Sequence, residues 1–158
     1  LWSPRDPAEN VARYLISGIL AVPQIGVDLE AYPASHVELI RRWVGFYEAH
    51  RATLTRGRFE PAFHVAHLPE ARFVGDGETI VGLYDDRAIE LPTDETVHVL
   101  NGGTRAVVDV RPAGGGGEAE VTVRDLVGNA AGPPQRRRLP LGRVKCPVGG
   151  TVEIRRCT

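Results

Sequence analysis

Val22-Pro23-Gln24-Ile25-Gly26-Val27-Asp28 is the segment on which the predicted architecture of this chain depends. It is a short apolar run rich in β-branched residues, and Pro23 stands at its beginning, where a strand tolerates a missing N–H. A proline-containing loop, residues 29–35, follows it, and a long amphipathic segment then runs from His36 to about Leu54. Strand, loop and one-sided helix in this order are typical of one unit of a parallel α/β sheet.

The segment from His36 to about Leu54 is predicted to be a helix that presses on a broad surface. On a wheel of about 100° per residue, its large apolar side chains share one half and most of its charged side chains the other. Ser35-His36-Val37-Glu38 has the pattern of a capping box, and Gly57 is predicted to be the left-handed residue that ends the helix. The apolar half contains Val37, Leu39, Ile40, Trp43, Val44, Phe46, Tyr47 and Leu54, and the charged half contains Glu38, Arg41, Arg42 and Glu48.

An earlier helix is predicted to begin at Asp6-Pro7-Ala8-Glu9. Asp6 suits the N-cap, Pro7 suits the first helical position, and Glu9 is placed to bond back to the cap. Apolar residues at helical spacing continue this helix to about Leu20. The first third of the chain is therefore predicted to hold one strand between two helices.

From Phe59 onward the apolar period changes to two, which predicts a series of short strands. Gly149-Gly150 is predicted to be the tight turn of the last hairpin, and residues 128–139 a long loop. Strands of this length and spacing are typical of an antiparallel sandwich. The predicted strands are Phe59–Ala66, Ala71–Val74, Thr79–Tyr84, Ala88–Leu91, Thr96–Leu100, Thr104–Arg111, Glu118–Asp125, Leu141–Cys146 and Thr151–Arg155.

The lone predicted strand in the first third needs partners, because a parallel strand with two unpaired edges is unstable in isolation. An eight-unit barrel takes roughly 250 residues, so only the end of one would be present. The predicted fold class is therefore α+β, with the terminal strand-helix unit of a (β/α)8 barrel over residues 1–57 and an antiparallel β-sandwich over residues 58–158. Because the strand and the apolar helix face lack partners, we expect the chain to be the C-terminal end of a longer protein. Part of the helix face could instead pack on the sandwich, which would let the chain fold as a compact α+β unit. The start at Leu1 and the lack of Met suggest that the natural N-terminus lies elsewhere.

Four motifs carry a family resemblance. They are Leu1-Trp2-Ser3-Pro4-Arg5-Asp6-Pro7, Gly26-Val27-Asp28-Leu29, the run from Ile40-Arg41-Arg42-Trp43 through Phe46-Tyr47-Glu48-Ala49-His50-Arg51, and Ile80-Val81-Gly82-Leu83-Tyr84. Together with the order of elements, they resemble the C-terminal part of the α-galactosidase (melibiase) and raffinose-synthase-like family of glycoside hydrolases. In such enzymes the final barrel strand carries an Asp-Leu loop, the last helix ends in a Phe-Tyr-x-x-His-Arg-like run, and a β-sandwich follows.

The resemblance implies a retaining mechanism, in which a carboxylate nucleophile and a second carboxylate acting as acid/base stand about 5 Å apart. Most of that machinery would belong to barrel strands upstream, and no carboxylate pair is assigned in this chain. The family's acid/base lies in a Trp-x-Ser-Asp-Asp-like run before an Asp-Pro, whereas here Trp2–Pro7 lacks the paired aspartates. Asp6 is then the candidate catalytic residue, unless the acid/base lies elsewhere or the chemistry is different or lost. As an N-cap, Asp6 would have a structural role instead.

Trp2 and Asp28 are the candidate substrate-binding residues. The flat face of an indole suits the C–H surface of a sugar ring, although Trp2 could equally belong to the core. Asp28 is the C-terminal residue of the predicted strand, at the end where parallel α/β folds bind ligands, although it could instead hold its loop through backbone hydrogen bonds.

No cofactor or metal site is predicted. His64 and His67, three residues apart in a strand pattern, would lie on opposite faces, whereas His36 and His50 are expected to be hydrogen-bonded core residues on the buried side of the helix. The run Arg136-Arg137-Arg138 is expected to lie in a solvated loop. Across the predicted last hairpin Cys146 and Cys157 would not face each other, so no disulfide is expected.

Composition limits the partners. The formal net charge is −1, with 19 basic and 20 acidic residues, so no overall field attracts the chain to nucleic acid or to a membrane surface. The apolar runs are far shorter than the ~20 residues of a spanning helix. Without a natural N-terminus, targeting stays open, with a cytoplasmic location slightly favoured.

The predicted function is that of an inactive C-terminal fragment of a retaining glycoside hydrolase that cleaves terminal α-linked sugars. Its sandwich would stabilise the parent's barrel and could also support a homo-oligomer. The alternatives are a non-catalytic carbohydrate-binding or interaction module and a catalytically dead member of the family. An exposed row of aromatic side chains on one sandwich face would favour the binding module, but the strand region offers only Phe59, Phe63, Phe73 and Tyr84.

Overall fold

The computed structural model describes residues 2–19, 23–64, 67–93, 96–112 and 116–157. Helices occupy the first third of the chain and strands the remainder, as the change of apolar period predicts. The helices are α1 (Ala8–Ile19), a short 3-10 helix (Leu29–Ala31), α2 (Ala34–Ala49) and α3 (Arg51–Arg56). The strands are β1 (Arg58–His64), β2 (His67–Val74), β3 (Glu78–Leu83), β4 (Ile89–Leu91), β5 (Thr96–Asn101), β6 (Val107–Pro112), β7 (Glu118–Arg124), β8 (Gln135–Arg138), β9 (Gly142–Lys145) and β10 (Thr151–Arg156).

The strands form two sheets between which the chain repeatedly crosses. The large sheet has the order β1-β2-β3-β5-β10-β7-β8, and the small sheet has the order β4-β6-β9. The chain leaves the large sheet for β4 and returns to it for β5, and β3 and β5 are parallel neighbours. In the same way, the chain leaves the small sheet for β5 and returns to it for β6, and β4 and β6 are parallel neighbours. The prediction of a wholly antiparallel arrangement is therefore wrong at these two pairs.

The large sheet is covered on both faces, because successive side chains of a strand point to opposite sides. One face packs on the small sheet through buried aliphatic side chains such as Val81, Val99 and Ile154. The other face packs on the helices, where Ile80 and Leu100 of the sheet share a buried cluster with helical residues. The helical members of that cluster are Val11, Ala12, Leu15, Ile16, Ile19, Leu39, Ile40, Trp43, Phe46 and Leu54.

The predicted strand Val22–Asp28 is not formed over residues 23–28, and Val22 lies outside the described residues. Residues 23–28 have no regular secondary structure. Ile25 packs its side chain against the helix-side core, but a strand also needs a neighbouring backbone for its hydrogen bonds. The apolar pattern therefore reflects burial beside helices rather than membership of a parallel sheet.

The predicted helices exist with altered ends. Helix α2 begins at Ala34 with Pro33 at the N-cap, so Ser35 lies inside the helix and the predicted capping box is wrong. The helix is interrupted at His50, which separates α2 from α3. Gly57 ends α3 with φ −65° and ψ 161°, an extended rather than a left-handed conformation. Glycine is needed there because a Cβ atom would collide with the carbonyl oxygens of Thr53 and Val74.

The predicted helical wheel of α2 holds with one exception. Leu39, Ile40, Trp43 and Phe46 are buried, as their shared half requires. Arg42, by contrast, is half-buried against the sheet, with its guanidinium carbon 5.2 Å from the Trp43 ring centroid and its Nη2 donating to Thr151 Oγ1 over 3.4 Å. Burial is the main cause that lowers the pKa of Arg42.

The predicted last hairpin is also wrong, because its two strands belong to different sheets. β9 pairs with β6, whereas β10 lies between β5 and β7. The turn residue Gly149 adopts φ 78° and donates its N–H to Asn101 O over 2.8 Å. The Asn101 side chain holds this crossing, since its Nδ2 donates to the carbonyl oxygens of Arg105 at 2.9 Å and Cys146 at 3.0 Å.

The predicted loop 128–139 contains a strand. Residues of β8 pair antiparallel with β7, so Arg136 lies opposite Glu120 and Arg138 opposite Glu118. The sequence pattern does not predict this short edge strand, because its flanks are rich in glycine and proline and its residues are a run of like charges. The chain as a whole combines α and β structure, with a multi-strand sheet and a partly sandwich-like arrangement.

Candidate functional site

The interruption between α2 and α3 places His50 above the large sheet. His50 has φ −112° and ψ 18°, while its N–H still donates to Phe46 O over 3.1 Å and its carbonyl oxygen accepts from Leu54 N over 3.0 Å. The two helices therefore continue on either side of a single residue whose backbone departs from helical geometry. Neither His50 nor its neighbours Ala49 and Arg51 is glycine or proline, so the sequence carries no conventional signal for this break.

Two strand residues face His50 from the sheet. Glu78 begins β3, and His98 is the third residue of the parallel neighbour β5. Ile80 is the direct partner of His98, and Glu78 precedes Ile80 by two residues. Glu78 and His98 therefore lie on the same face, the one that the helices cover.

His50, Glu78 and His98 form one cluster, called here the His–Glu–His cluster. His50 Nδ1 lies 3.0 Å from Glu78 Oε2, which is a hydrogen-bond distance. His98 Nε2 lies 3.6 Å from the same oxygen, which is too long for one. The two imidazole centroids are 4.4 Å apart, with 57° between the rings.

Neighbouring side chains fix the orientation of the cluster. The Thr53 hydroxyl of α3 donates to Glu78 Oε1, so the other carboxylate oxygen is the one that faces the imidazoles. The Phe46 ring lies 4.3 Å from the His50 centroid and meets the His98 ring edge-on at 5.9 Å. The cluster is partly shielded from solvent, with side-chain exposures of 18% for His50, 23% for Glu78 and 10% for His98.

Burial governs the protonation of His98. It is the main cause that lowers the pKa of His98 to about 4, and the nearby His50 and Arg155 add to the lowering. The carboxylates of Glu153 and Glu78 act in the opposite direction. At neutral pH the His98 imidazole is therefore uncharged and carries a nitrogen lone pair that can accept a hydrogen bond or bind a metal ion.

The sequence prediction did not find this cluster. The sequence predicts His50 as a hydrogen-bonded core residue and gives no role to Glu78 or His98. Period-two alternation in β5 places His98 on the same face as Leu100, which was a readable signal. The parallel pairing of β3 with β5, which brings Glu78 beside His98, has no such signal in the sequence.

The predicted catalytic and substrate-binding residues lie in other places. Asp6 Oδ2 accepts from Ser3 N over 2.7 Å, so this carboxylate closes a turn before α1. Trp2 is half-buried against the helix-side core, and its carbonyl oxygen accepts from the Tyr32 hydroxyl over 3.0 Å. His36 Nε2 lies 3.0 Å from Asp6 O, so Tyr32 and His36 together hold the segment that contains Trp2 and Asp6.

Asp28 lies at the N-cap of the 3-10 helix. Its Oδ1 accepts from Glu30 N over 3.1 Å, which is the loop-holding contact that the sequence analysis gave as the alternative to substrate binding. The contacts of Asp28 and Asp6 are thus local backbone contacts at the starts of two helical segments.

The other sequence predictions have mixed outcomes. His64 and His67 belong to different strands and are direct cross-strand partners at the ends of β1 and β2, so the expectation of a single strand pattern through both residues is wrong. Cys146 is buried and Cys157 exposed, and both are free. Burial raises the pKa of the Cys146 thiol to about 12.

No family model, curated protein or solved structure matches this chain. Within the described part of the chain, none of the helices combines the length and the apolar character that a bilayer crossing needs.

Proposed function

We propose that this chain is the C-terminal part of a retaining glycoside hydrolase that resembles the α-galactosidases and cleaves terminal α-linked sugars. In this proposal the helices belong to the end of a (β/α)8 barrel and the strands form a β-sandwich that stabilises it. The chain alone is inactive, and the catalytic carboxylate pair lies mostly in the remainder of the barrel. An α-galactoside is the substrate class of the parent enzyme.

The observation that supports the proposal is that residues of two family-like motifs pack together in one buried cluster. Trp43 and Phe46 come from the helical motif, and they share the helix-side core with Ile80 of the strand motif. All three side chains are at least nine-tenths buried. The motif residues therefore form the contact between helix and sheet, which is the contact that a bracing sandwich requires.

The proposal no longer depends on a strand over Val22–Asp28, because residues 23–28 are irregular. It rests on the sequence motifs and on the helix–sheet contact. Within it, Asp6 is the candidate acid/base, and Trp2 and Asp28 are the candidate sugar contacts. Asp6 and Asp28 each lie just before a helical segment of the N-terminal third, and Trp2 precedes Asp6 by four residues.

An assay with p-nitrophenyl α-galactoside tests the proposal at two levels. The present chain should give no turnover, whereas the full-length parent should hydrolyse the substrate with retention of anomeric configuration. Turnover by the present chain would overturn its assignment as an inactive part. A parent sequence without a barrel upstream would overturn the hydrolase assignment itself.

Binding measurements separate the two alternative functions. Retention of the present chain on an α-galactose-bearing polysaccharide would favour a carbohydrate-binding module. Among the described residues, Phe59 is the exposed large aromatic of the strand region, at 49% exposure, and Phe73 beside it is buried. One exposed ring is less than the row that such a module presents, so no retention is expected. A full-length parent that has a barrel but no activity would instead indicate a dead family member.

A further inference from the structure

We propose that His50, Glu78 and His98 bind one divalent transition-metal ion, for which Zn²⁺ is the reference ligand. Two imidazole nitrogens and one carboxylate oxygen are a donor set that Zn²⁺ accepts. One donor atom from each residue can be chosen so that all three lie within 4.8 Å of one another. This site does not depend on the glycoside hydrolase proposal, because none of its residues is assigned a role in that reaction.

The two distances from Glu78 to the imidazoles are compatible with shared coordination of one ion. Bonds of about 2.0–2.2 Å in a tetrahedral site place neighbouring ligand atoms about 3.3 Å apart. Glu78 Oε2 lies 3.0 Å from His50 Nδ1 and 3.6 Å from His98 Nε2, on either side of that value. The longer distance leaves His98 without a hydrogen bond to the carboxylate, but it suits two ligands of one ion. Small side-chain rotations would complete the geometry.

The site is supported by side chains that already hold the ligands. Thr53 donates to Glu78 Oε1, which is the kind of outer hydrogen bond that orients a metal-binding carboxylate. Phe46 packs against both imidazoles and limits their rotation. Each ligand comes from a different segment: His50 from the helix interruption, Glu78 from β3 and His98 from β5. A bound ion would therefore tie the helical layer to two neighbouring strands.

Solvent approaches the cluster from the side of Glu78, whereas neither imidazole lines the neighbouring cleft. A cleft of about 440 Å³ lies between α3 and the β2–β3 turn, and Thr53, Asp76 and Glu78 contribute to its lining. Glu78 is 23% exposed, so its carboxylate borders this cleft rather than being sealed behind it. Three protein ligands with one solvent position is an arrangement that zinc commonly adopts.

Titration of the metal-free chain with Zn²⁺ and Co²⁺ tests the proposal. Isothermal calorimetry should give one equivalent of bound Zn²⁺, and Co²⁺ should produce visible d–d absorption in the same stoichiometry. Because the ion binds the folded chain, Zn²⁺ at about 100 times its Kd should raise Tm by about 5 °C or more. Failure of the wild-type chain to bind one equivalent would overturn the proposal.

Variants locate the bound ion. Glu78→Gln and His98→Ala should each weaken Zn²⁺ binding by more than about 100-fold, and Thr53→Val, which removes only the outer hydrogen bond, by about 10- to 100-fold. His67→Ala is the matched control, because it removes a histidine beside the carboxylate of Asp85, outside the cluster. Unchanged affinity in Glu78→Gln and His98→Ala, or a loss in His67→Ala, would contradict the assignment.

A measurement on the wild-type chain keeps the test valid if a ligand variant fails to fold. The chain has five histidines, so imidazole ¹⁵N resonances distinguish the ligands from the rest. Zn²⁺ should shift the ring nitrogens of His50 and His98 and leave those of His36 and His67 unchanged. Shifts confined to other histidines would place the ion elsewhere and overturn the proposal.

Discussion

The two faces of the large sheet are built from different chemistry. The face toward the small sheet is packed by aliphatic side chains such as Val81, Val99 and Ile154, which are fully buried. The face toward the helices presents Ile80 and Leu100 as well, but it also holds polar groups such as His98. The face toward the small sheet supplies close packing alone. The face toward the helices combines packing with ionisable side chains, and His98 there lies beside His50 and Glu78. Candidate chemistry in this molecule therefore concentrates between helices and sheet.

Trp43→Ala should have the largest effect on the free energy of unfolding. It removes a side chain that is 2% exposed and lies in the core between the helices and the large sheet. Truncation of a buried tryptophan costs about 3–5 kcal/mol of unfolding free energy. Urea unfolding followed by far-UV circular dichroism, with the half-buried Trp2→Ala as a milder control, measures the loss. If the strand signal kept its wild-type midpoint, the helices would not be part of the same cooperative unit.

Asn101→Ala tests the crossing between the two sheets and should have the next largest effect. The substitution removes the donor to the carbonyl oxygens of Arg105 and Cys146, and it leaves buried acceptors unpaired. We expect a loss of about 2–3 kcal/mol in unfolding free energy, on the scale of one or two unsatisfied buried groups. Thermal unfolding gives the measurement, and a change in Tm of less than one degree or so would show that this polar contact is dispensable.

Gly57→Ala asks whether the junction between helices and strands needs glycine for space rather than for a left-handed backbone. A Cβ atom at this position would collide with two backbone carbonyl oxygens, so we expect a loss of about 1–3 kcal/mol. Gly45→Ala is the matched control, because its Cβ would meet open space on an exposed face of α2. That substitution should stabilise the chain by about 0.5–1 kcal/mol. Equal effects at the two positions would refute the steric explanation.

Arg136→Ala should have the smallest effect. Its Nε donates to Glu118 Oε2 over 2.6 Å, but the two side chains are 70% and 49% exposed. Exposed ion pairs contribute about 0.2–1 kcal/mol, so the unfolding midpoint in urea should move only slightly. A loss comparable with that of Asn101→Ala would mean that the sheet edge is more tightly coupled to the core than its exposure indicates.

The sequence predicted the strand region closely in position and poorly in pairing. Of the ten strands in the described part of the chain, alternation and turn residues predict nine and miss β8. The same local pattern could not reveal that successive strands cross between two sheets, because crossing is a property of distant segments. The apolar run at Ile25–Val27 was misassigned for a related reason. Its burial was readable, but the backbone partner that defines a strand was not.

The candidate site shows the same limit. His50 was recognised as a residue on the buried side of a helix, and this agrees with its exposure of 18%. The helix interruption that places His50 above the sheet contains no glycine or proline, so the sequence does not indicate it. Glu78 lies beside His98 because β3 and β5 pair in parallel. Three residues separated by 28 and 20 positions in the chain therefore became neighbours through tertiary structure alone.

The arginine-rich strand β8 has a consequence for how this protein behaves at high concentration. An outermost strand exposes unpaired N–H and C=O groups, which can recruit a strand from another molecule. The edge strand β8 carries three consecutive arginines, Arg136–Arg138. Their guanidinium groups would repel the guanidinium groups of the β8 strand of a second copy. Charge on this edge strand therefore disfavours the pairing of two large sheets through β8, an effect that a stability measurement on dilute protein would not detect.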